Sequence, residues 1–251
     1  MKIIHSRYFP GAKGIFRYDI VYLLIVFLIF LLFWSGLGVS DLIDRGRIQQ
    51  FDEWVLTNLR QADDLHQLRG PDWLKDFMRD VTALGGAPVL TLISLGVIGY
   101  LILQKSYRSL ALVVIATISG LLMSLLLKFY FIRPRPEVVP HLMTETTPSF
   151  PSGHSMMSAV VYFTLAALLT RLETSNKIRI YTISLTLFVV FIVGVSRVFL
   201  GVHYPTDVLG GWTFGVFWAM LCWYLARYLQ IHGAIEEPAP EYEGEYEAEA
   251  T

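Results

Sequence analysis

The 251-residue chain is 54% hydrophobic and only 16% charged, with twenty Lys and Arg set against twenty-one Asp and Glu. A soluble domain carries about a quarter charged residues, so the composition points to a membrane protein; the net charge of −1 and the low polarity exclude a basic nucleic-acid binder and a disordered chain. The single cysteine, Cys222, excludes an intrachain disulfide and a thiolate metal cluster.

In chain order, residues 1–19 form a basic N-terminal segment carrying Lys2, Arg7, Lys13 and Arg17, followed by an uncharged apolar run over residues 20–39. A helix needs about 20 apolar residues to cross about 30 Å of hydrocarbon, and this run meets that length. It exceeds the apolar core of a secretory signal, about 7–15 residues, so an uncleaved anchor is expected. The polar stretch at residues 40–86 contains two amphipathic patterns separated by Gly70 and Pro71. One is built from Phe51, Trp54, Val55 and Leu59, the other from Trp73, Leu74, Phe77, Met78 and Val81. Both read as short helices at the membrane interface or capping a bundle. Five further apolar runs follow, at residues 87–103, 110–127, 156–169, 180–195 and 208–231. Backbone groups in lipid must be satisfied internally, so continuous runs of this kind are helices. The expected fold is all-α: a polytopic bundle of six transmembrane helices over residues 20–231, with short interfacial helices between the first two. Residues 236–251 hold seven Glu and no Lys or Arg, the composition of a disordered acidic tail.

With six spans both termini lie on one side. Ten cations fall on that side and six in the long first loop opposite, leaving aside the four at the helix ends considered next. The positive-inside rule then puts the termini in the cytoplasm and the other face outside an inner (cell) membrane.

Polar residues gather at that outer face. Lys128 ends the third run, Arg133-Pro134-Arg135-Pro136 follows it, and Pro151-Ser152-Gly153-His154 opens the fourth. Ser196-Arg197 closes the fifth run, and His203 with Asp207 opens the sixth. Singly, each has an ordinary explanation: a snorkelling anchor for Lys128 or Arg197, a packed histidine for His154, a helix cap for Ser152 or Asp207. Snorkelling does not explain cations converging with two His and an Asp. Arginine forks and a lysine charge match phosphate oxygens, and the helix start at Ser152, Gly153 and His154 favours an anion. Two histidines supply a nucleophile and a general acid, and Asp207 is spaced to orient His203. A metal held by His154, His203 and Asp207 is disfavoured, because the surrounding cations oppose a dication.

Lys128-x6-Arg135-Pro136, Pro151-Ser152-Gly153-His154 and Ser196-Arg197-x5-His203-x3-Asp207 resemble the three-part signature of type 2 phosphatidic acid phosphatases. That superfamily, PAP2, also includes vanadium haloperoxidases and bacterial acid phosphatases. The motifs cover residues 128–207, and the span layout extends the similarity to about residue 231. The resemblance implies that Lys128, Arg135, Arg197, Ser152 and the Gly153 backbone bind the phosphoryl group. It implies that His203 attacks phosphorus, Asp207 orients His203, and His154 protonates the leaving group, with no cofactor or metal. A lipid phosphatase acting on phosphatidic acid, phosphatidylglycerol phosphate or undecaprenyl diphosphate is the expected function. The same residues would serve a phosphotransferase using a lipid or sugar hydroxyl as acceptor. A non-catalytic lipid transporter or scaffold is expected to have lost His203, His154 or Arg197, and all are present. The headgroup preference is expected in the regions 137–150 and 40–86, where His141, Glu137 and Glu145 read as exposed loop residues. Oligomeric state is not encoded in any pattern of the chain.

Overall fold

Four of the five described hydrophobic runs become helices longer than the runs themselves, and the run at 87–103 becomes a helix of the same length. The computed structural model describes residues 46–231, so the predicted first span, the basic N-terminal segment and the acidic tail lie outside the described residues. Seven helices are described: α1 (Arg47–Asn58), α2 (Trp73–Ala83), α3 (Ala87–Leu103), α4 (Tyr107–Phe131), α5 (Gly153–Leu172), α6 (Asn176–Phe199) and α7 (Pro205–Ile231). Among the described residues the only strand-like pairing is an isolated bridge between Arg60 and Leu68.

Helices α4 to α7 run 25, 20, 24 and 27 residues. At 1.5 Å per residue each reaches about 30 Å or more, enough to cross a bilayer. Helix α3 has 17 residues, about 26 Å, and continues from α2 across a bend of 41°. The described residues therefore contain four full spans, or five if α2 and α3 form one broken span, and the count of six is not reached among them. Leu92, Leu103 and Phe129 are 73%, 83% and 80% exposed, as side chains facing lipid would be. The chain folds as a polytopic helical membrane bundle.

Helix α5 sits at the centre, packed against α4, α6 and α7. Gly211 and Gly215 let α7 close on α5: a Cβ on Gly211 would stand 2.7 Å from the Ser152 carbonyl, and one on Gly215 2.6 Å from the Met156 carbonyl. Small residues at a helix–helix seam permit this approach where lipid gives no hydrophobic drive for association.

The helix ends explain how polar groups are delivered. Helix α4 runs past its apolar stretch and stops at Ile132, whose φ of 44° is left-handed, with its N–H on the Lys128 carbonyl at 3.1 Å. Arg133-Pro134-Arg135-Pro136 cannot continue a helix and turns back over the bundle. Ser152 caps α5, its Oγ accepting from Ser155 N at 3.4 Å.

The two short helices form where the amphipathic patterns lie, and the residues they bury are few. In α1 the buried residues are Asp52 and Leu56, whereas Phe51 and Trp54 are 51% and 61% exposed. In α2, Met78 and Thr82 face inward while Trp73 and Phe77 face outward. Met78 packs with Leu200 and Val202, so α2 lies over the α6–α7 turn. Asp52 is buried because it has charged and hydroxyl partners, which a hydrophobicity stripe cannot register.

Candidate active site

The α6–α7 turn carries His203, which is 2% exposed. Its Nδ1 lies 3.5 Å from Asp207 Oδ2, one helical turn along α7, and 3.4 Å from Ser149 Oγ. Its Nε2 faces the opposite way, 3.4 Å from Arg135 Nη1. A proton on Nδ1, held by Asp207, leaves the Nε2 lone pair pointing at the arginine. Burial pushes the His203 imidazole down to about 4, with Asp207 opposing and Arg197 and Arg135 reinforcing the shift. The ring is therefore neutral, and able to act as a nucleophile, at ordinary pH.

Asp207 is fully buried and saturated with donors. Oδ2 accepts from Ser149 Oγ in a short bond and from Tyr204 N at 2.9 Å. Oδ1 accepts from Arg133 Nη1 at 2.7 Å. Burial works against the Arg133 charge, but Asp207 and Asp52 together raise it above the ordinary arginine value.

Arg135, on the Nε2 side, and the neighbouring cations Lys128 and Arg197 are held differently. Arg135 donates through Nε to the Thr147 carbonyl at 2.8 Å and through Nη1 to the Val202 carbonyl at 2.6 Å. Lys128 Nζ donates to the Pro148 carbonyl at 2.5 Å, and its stem lies against the first turn of α5, 3.6 Å from where a Cβ on Gly153 would stand. Arg197 is fully buried; Nη1 donates to Thr82 Oγ1 at 3.1 Å, and Nε has no hydrogen-bond partner among the described residues. A buried guanidinium with an unmet donor costs free energy that an incoming anion would recover.

His154, in the first turn of α5, packs under the α2–α3 bend, its Nε2 3.7 Å from where a Cβ on Gly86 would stand. It lies within electrostatic reach of Arg197, Glu145, His203 and Arg135. The eight residues singled out by the motifs therefore cluster where the ends of α4, α5, α6 and α7 meet: Lys128, Arg135, Ser152, Gly153, His154, Arg197, His203 and Asp207. Ser152 serves at least as a cap, and its N–H donates to the Asp207 carbonyl at 3.0 Å, tying α5 to α7.

Glu145 departs from its reading as an exposed loop residue. It is buried to 20% exposure and pairs closely with Arg197, with Arg135 Nη2 3.5 Å from its other oxygen. Burial alone would raise it, but Arg197 and Arg135 hold its carboxyl below the ordinary range. Its carboxylate is thus held between two of the cations, Arg197 and Arg135. His141, by contrast, is tied to the Pro136 carbonyl at 2.6 Å within its own loop. Sequence reasoning passed over Ser149, Thr82 and Asp52, which lie outside the motifs and carry no periodic signal, and it noted Arg133 among the cations at the helix ends without giving it a role.

Two carboxylates and four cations around two histidines suit phosphoryl transfer, which depends mainly on positioning and charge stabilisation. The sequence model of the PAP2 superfamily matches residues 108–231. Phosphatidylglycerophosphatase B of Bacillus subtilis (strain 168) is 36% identical over 57% of this chain and 71% of its own length. An undecaprenyl-diphosphatase of Sulfolobus acidocaldarius is 33% identical over 41% of this chain, which spans 44% of that relative. The crystal structure of the transmembrane PAP2-type phosphatidylglycerolphosphate phosphatase from Bacillus subtilis superposes with a TM-score of 0.67 at 29% identity, covering 82% of this chain and 96% of the other. Aquifex aeolicus LpxE shares the fold, with a TM-score of 0.52 at 21% identity over 68% of this chain and 92% of the other. The helical membrane fold, the signature at the helix ends and these matches together establish that the chain belongs to the PAP2 superfamily.

Proposed function

We propose that this membrane phosphatase hydrolyses a lipid phosphate or diphosphate, with phosphatidylglycerol phosphate the first substrate to test, through a phosphohistidine on His203. The observation that carries the reading is the buried Arg197 with its unmet Nε donor, set beside Arg135 and the His203 Nε2 face. A phosphoryl dianion gripped by Arg197, Arg135 and Lys128, at the first turn of α5, would present phosphorus to His203 Nε2. The Nε2 lone pair forms the P–N bond as the bond from phosphorus to the leaving oxygen breaks. His154 gives that oxygen its proton. Asp207 stabilises the positive charge that develops on the imidazole. Water then attacks phosphorus, passing a proton back to His154; the P–N bond breaks and inorganic phosphate leaves. The name of the more fully covered relative, phosphatidylglycerophosphatase B, supports the lipid class, and the lipid-facing helices allow acyl chains to stay in the bilayer while the headgroup meets the site.

The same reading places the termini in the cytoplasm and the site at the outer face of the inner membrane, on the bias of Lys and Arg between the two sides. Residues 20–231 then form the catalytic domain, between a cytoplasmic N-terminal segment and an acidic tail.

The test is phosphate release by the purified protein in detergent, with chelator present, across phosphatidylglycerol phosphate, phosphatidic acid and undecaprenyl diphosphate. At least one is expected to be turned over, with an acid-labile labelled enzyme trapped on quenching. A His203→Ala variant that releases phosphate at the wild-type rate sinks the assignment. Label appearing in a lipid acceptor rather than in free phosphate would make the enzyme a transferase.

A further inference from the structure

Asp52 stands in the middle of α1, outside the region the PAP2 sequence model covers, yet it is fully buried. A carboxylate removed from water is tolerated only where it is paired and hydrogen-bonded. Its Oδ2 accepts from Arg133 Nη2 at 2.9 Å and from Thr206 Oγ1 at 2.5 Å, and its Oδ1 accepts from Thr206 N at 3.1 Å. Arg133 uses its other terminal nitrogen on Asp207 Oδ1 at 2.7 Å, and its guanidinium lies 4.3 Å above the Tyr204 ring. Asp207 then presents Oδ2 to His203 Nδ1. Charges of alternating sign, Asp52, Arg133 and Asp207, thus run from α1 to the His203 ring.

The arrangement does more than neutralise Asp207. Arg133 is shared between two carboxylates, so its pull on Asp207 is limited to one oxygen. Without Asp52, Arg133 Nη2 would keep only the neutral Gln49 Oε1 at 3.1 Å, and the guanidinium could turn to fork onto Asp207, drawing that carboxylate away from the imidazole it orients. Thr206, in the first turn of α7, would also lose the acceptor for its N–H, loosening one end of the turn that carries His203. Arg60, in the loop after α1, holds the other end by donating to the Phe199 carbonyl at 2.8 Å. It lies against Gly201, whose φ of 74° and lack of a Cβ let the guanidinium approach.

We propose that Asp52 is a positioning residue for the nucleophile: by holding Arg133 and the start of α7, it keeps Asp207 Oδ2 directed at His203. The proposal rests on His203 being the nucleophile of the proposed phosphatase. It extends the catalytic apparatus into the α1 segment that precedes the signature.

The experiment compares steady-state kinetics of wild type, Asp52→Asn, Arg133→Gln and the double variant, each as full chain in detergent and normalised to folded protein by thermal unfolding. Asp52→Asn is expected to lower kcat roughly 10- to 100-fold, as a small misplacement of a reacting group does, with KM within about threefold of wild type. The double variant is expected to be no worse than Arg133→Gln alone, because residues acting as one unit are not additive. If Asp52→Asn does not fold, Arg133→Lys is the replacement: its single ammonium cannot fork to both carboxylates, and the same loss in kcat is expected. A folded variant with kcat within twofold of wild type, an effect confined to KM, or losses that multiply in the double variant would overturn the proposal. His203→Ala in the same assay separates the two readings. If it is inactive while Asp52→Asn is normal, only the role of Asp52 fails; if it is active, the phosphatase reading fails and takes this one with it.

Discussion

The two sides of the His203 ring meet opposite electrostatic environments. On the Nδ1 side, Asp207 and Arg133 are fixed by internal partners, and Asp52 closes the cluster. On the Nε2 side, Arg197 keeps an unmet donor, and the carboxylate opposing it, Glu145, comes from the 137–150 loop rather than from a helix. A closed cluster of paired charges gives rigidity and direction; a cluster with surplus positive charge gives affinity for an anion. In the proposed mechanism the difference separates a positioning half from a binding half around one imidazole.

The largest expected effect breaks the positioning half at its last link. Asp207→Asn leaves the shape but removes the charge that stabilises the imidazolium, and kcat is expected to fall about 10³- to 10⁴-fold with KM little changed, measured by phosphate release. Weakening the binding half comes next. Arg197→Lys replaces a planar fork with a point charge, and kcat/KM is expected to drop roughly 10- to 100-fold. Glu145→Gln tests whether the loop carboxylate competes with phosphate: the inhibition constant for inorganic phosphate is expected to fall roughly 3- to 10-fold at neutral pH, as removal of one opposing charge near the site implies. An unchanged constant would mean that Glu145 does not occupy the phosphate position. The acid side of the pH profile distinguishes the halves without mutation. His203 must be unprotonated to attack, and burial depresses it to about 4 in the presence of Asp207, Arg135 and Arg197. After correction for substrate ionisation, kcat/KM should hold steady as pH drops through 6.5 and decline only near 4; a midpoint at 6.5 would place the nucleophile in an ordinary aqueous setting. The smallest effect belongs to Gln49, which accepts from Arg133 Nη2 at 3.1 Å and donates to Tyr204 Oη at 3.1 Å. Gln49→Ala leaves Arg133 both of its carboxylate partners, and kcat is expected to change by no more than about threefold.

Much of this fold is legible in the chain. The runs at residues 87–103 and 110–127 become α3 and the body of α4 because hydrophobicity adds up along consecutive residues. The signature residues are equally visible, since their spacing is local. What escaped notice was the company they keep. Ser149 lies next to Asp207, and Thr82 next to Arg197, across 58 and 115 positions of sequence. Glu145 resembled any loop acid until the loop folded back onto Arg197. Asp52 was not singled out, because the apolar stripe with Phe51 and Trp54 says nothing of a buried carboxylate between them.

The sequence by itself determined that this is a helical membrane protein with cations, two histidines and an aspartate at the helix ends on one face. Those properties depend on composition and short spacing, which need no knowledge of distant neighbours. Only the tertiary structure decided which charges are spent on one another and which remain for a ligand. The energy of a buried charge depends on partners within about 4 Å, and the chain brings those partners from positions up to 154 residues away.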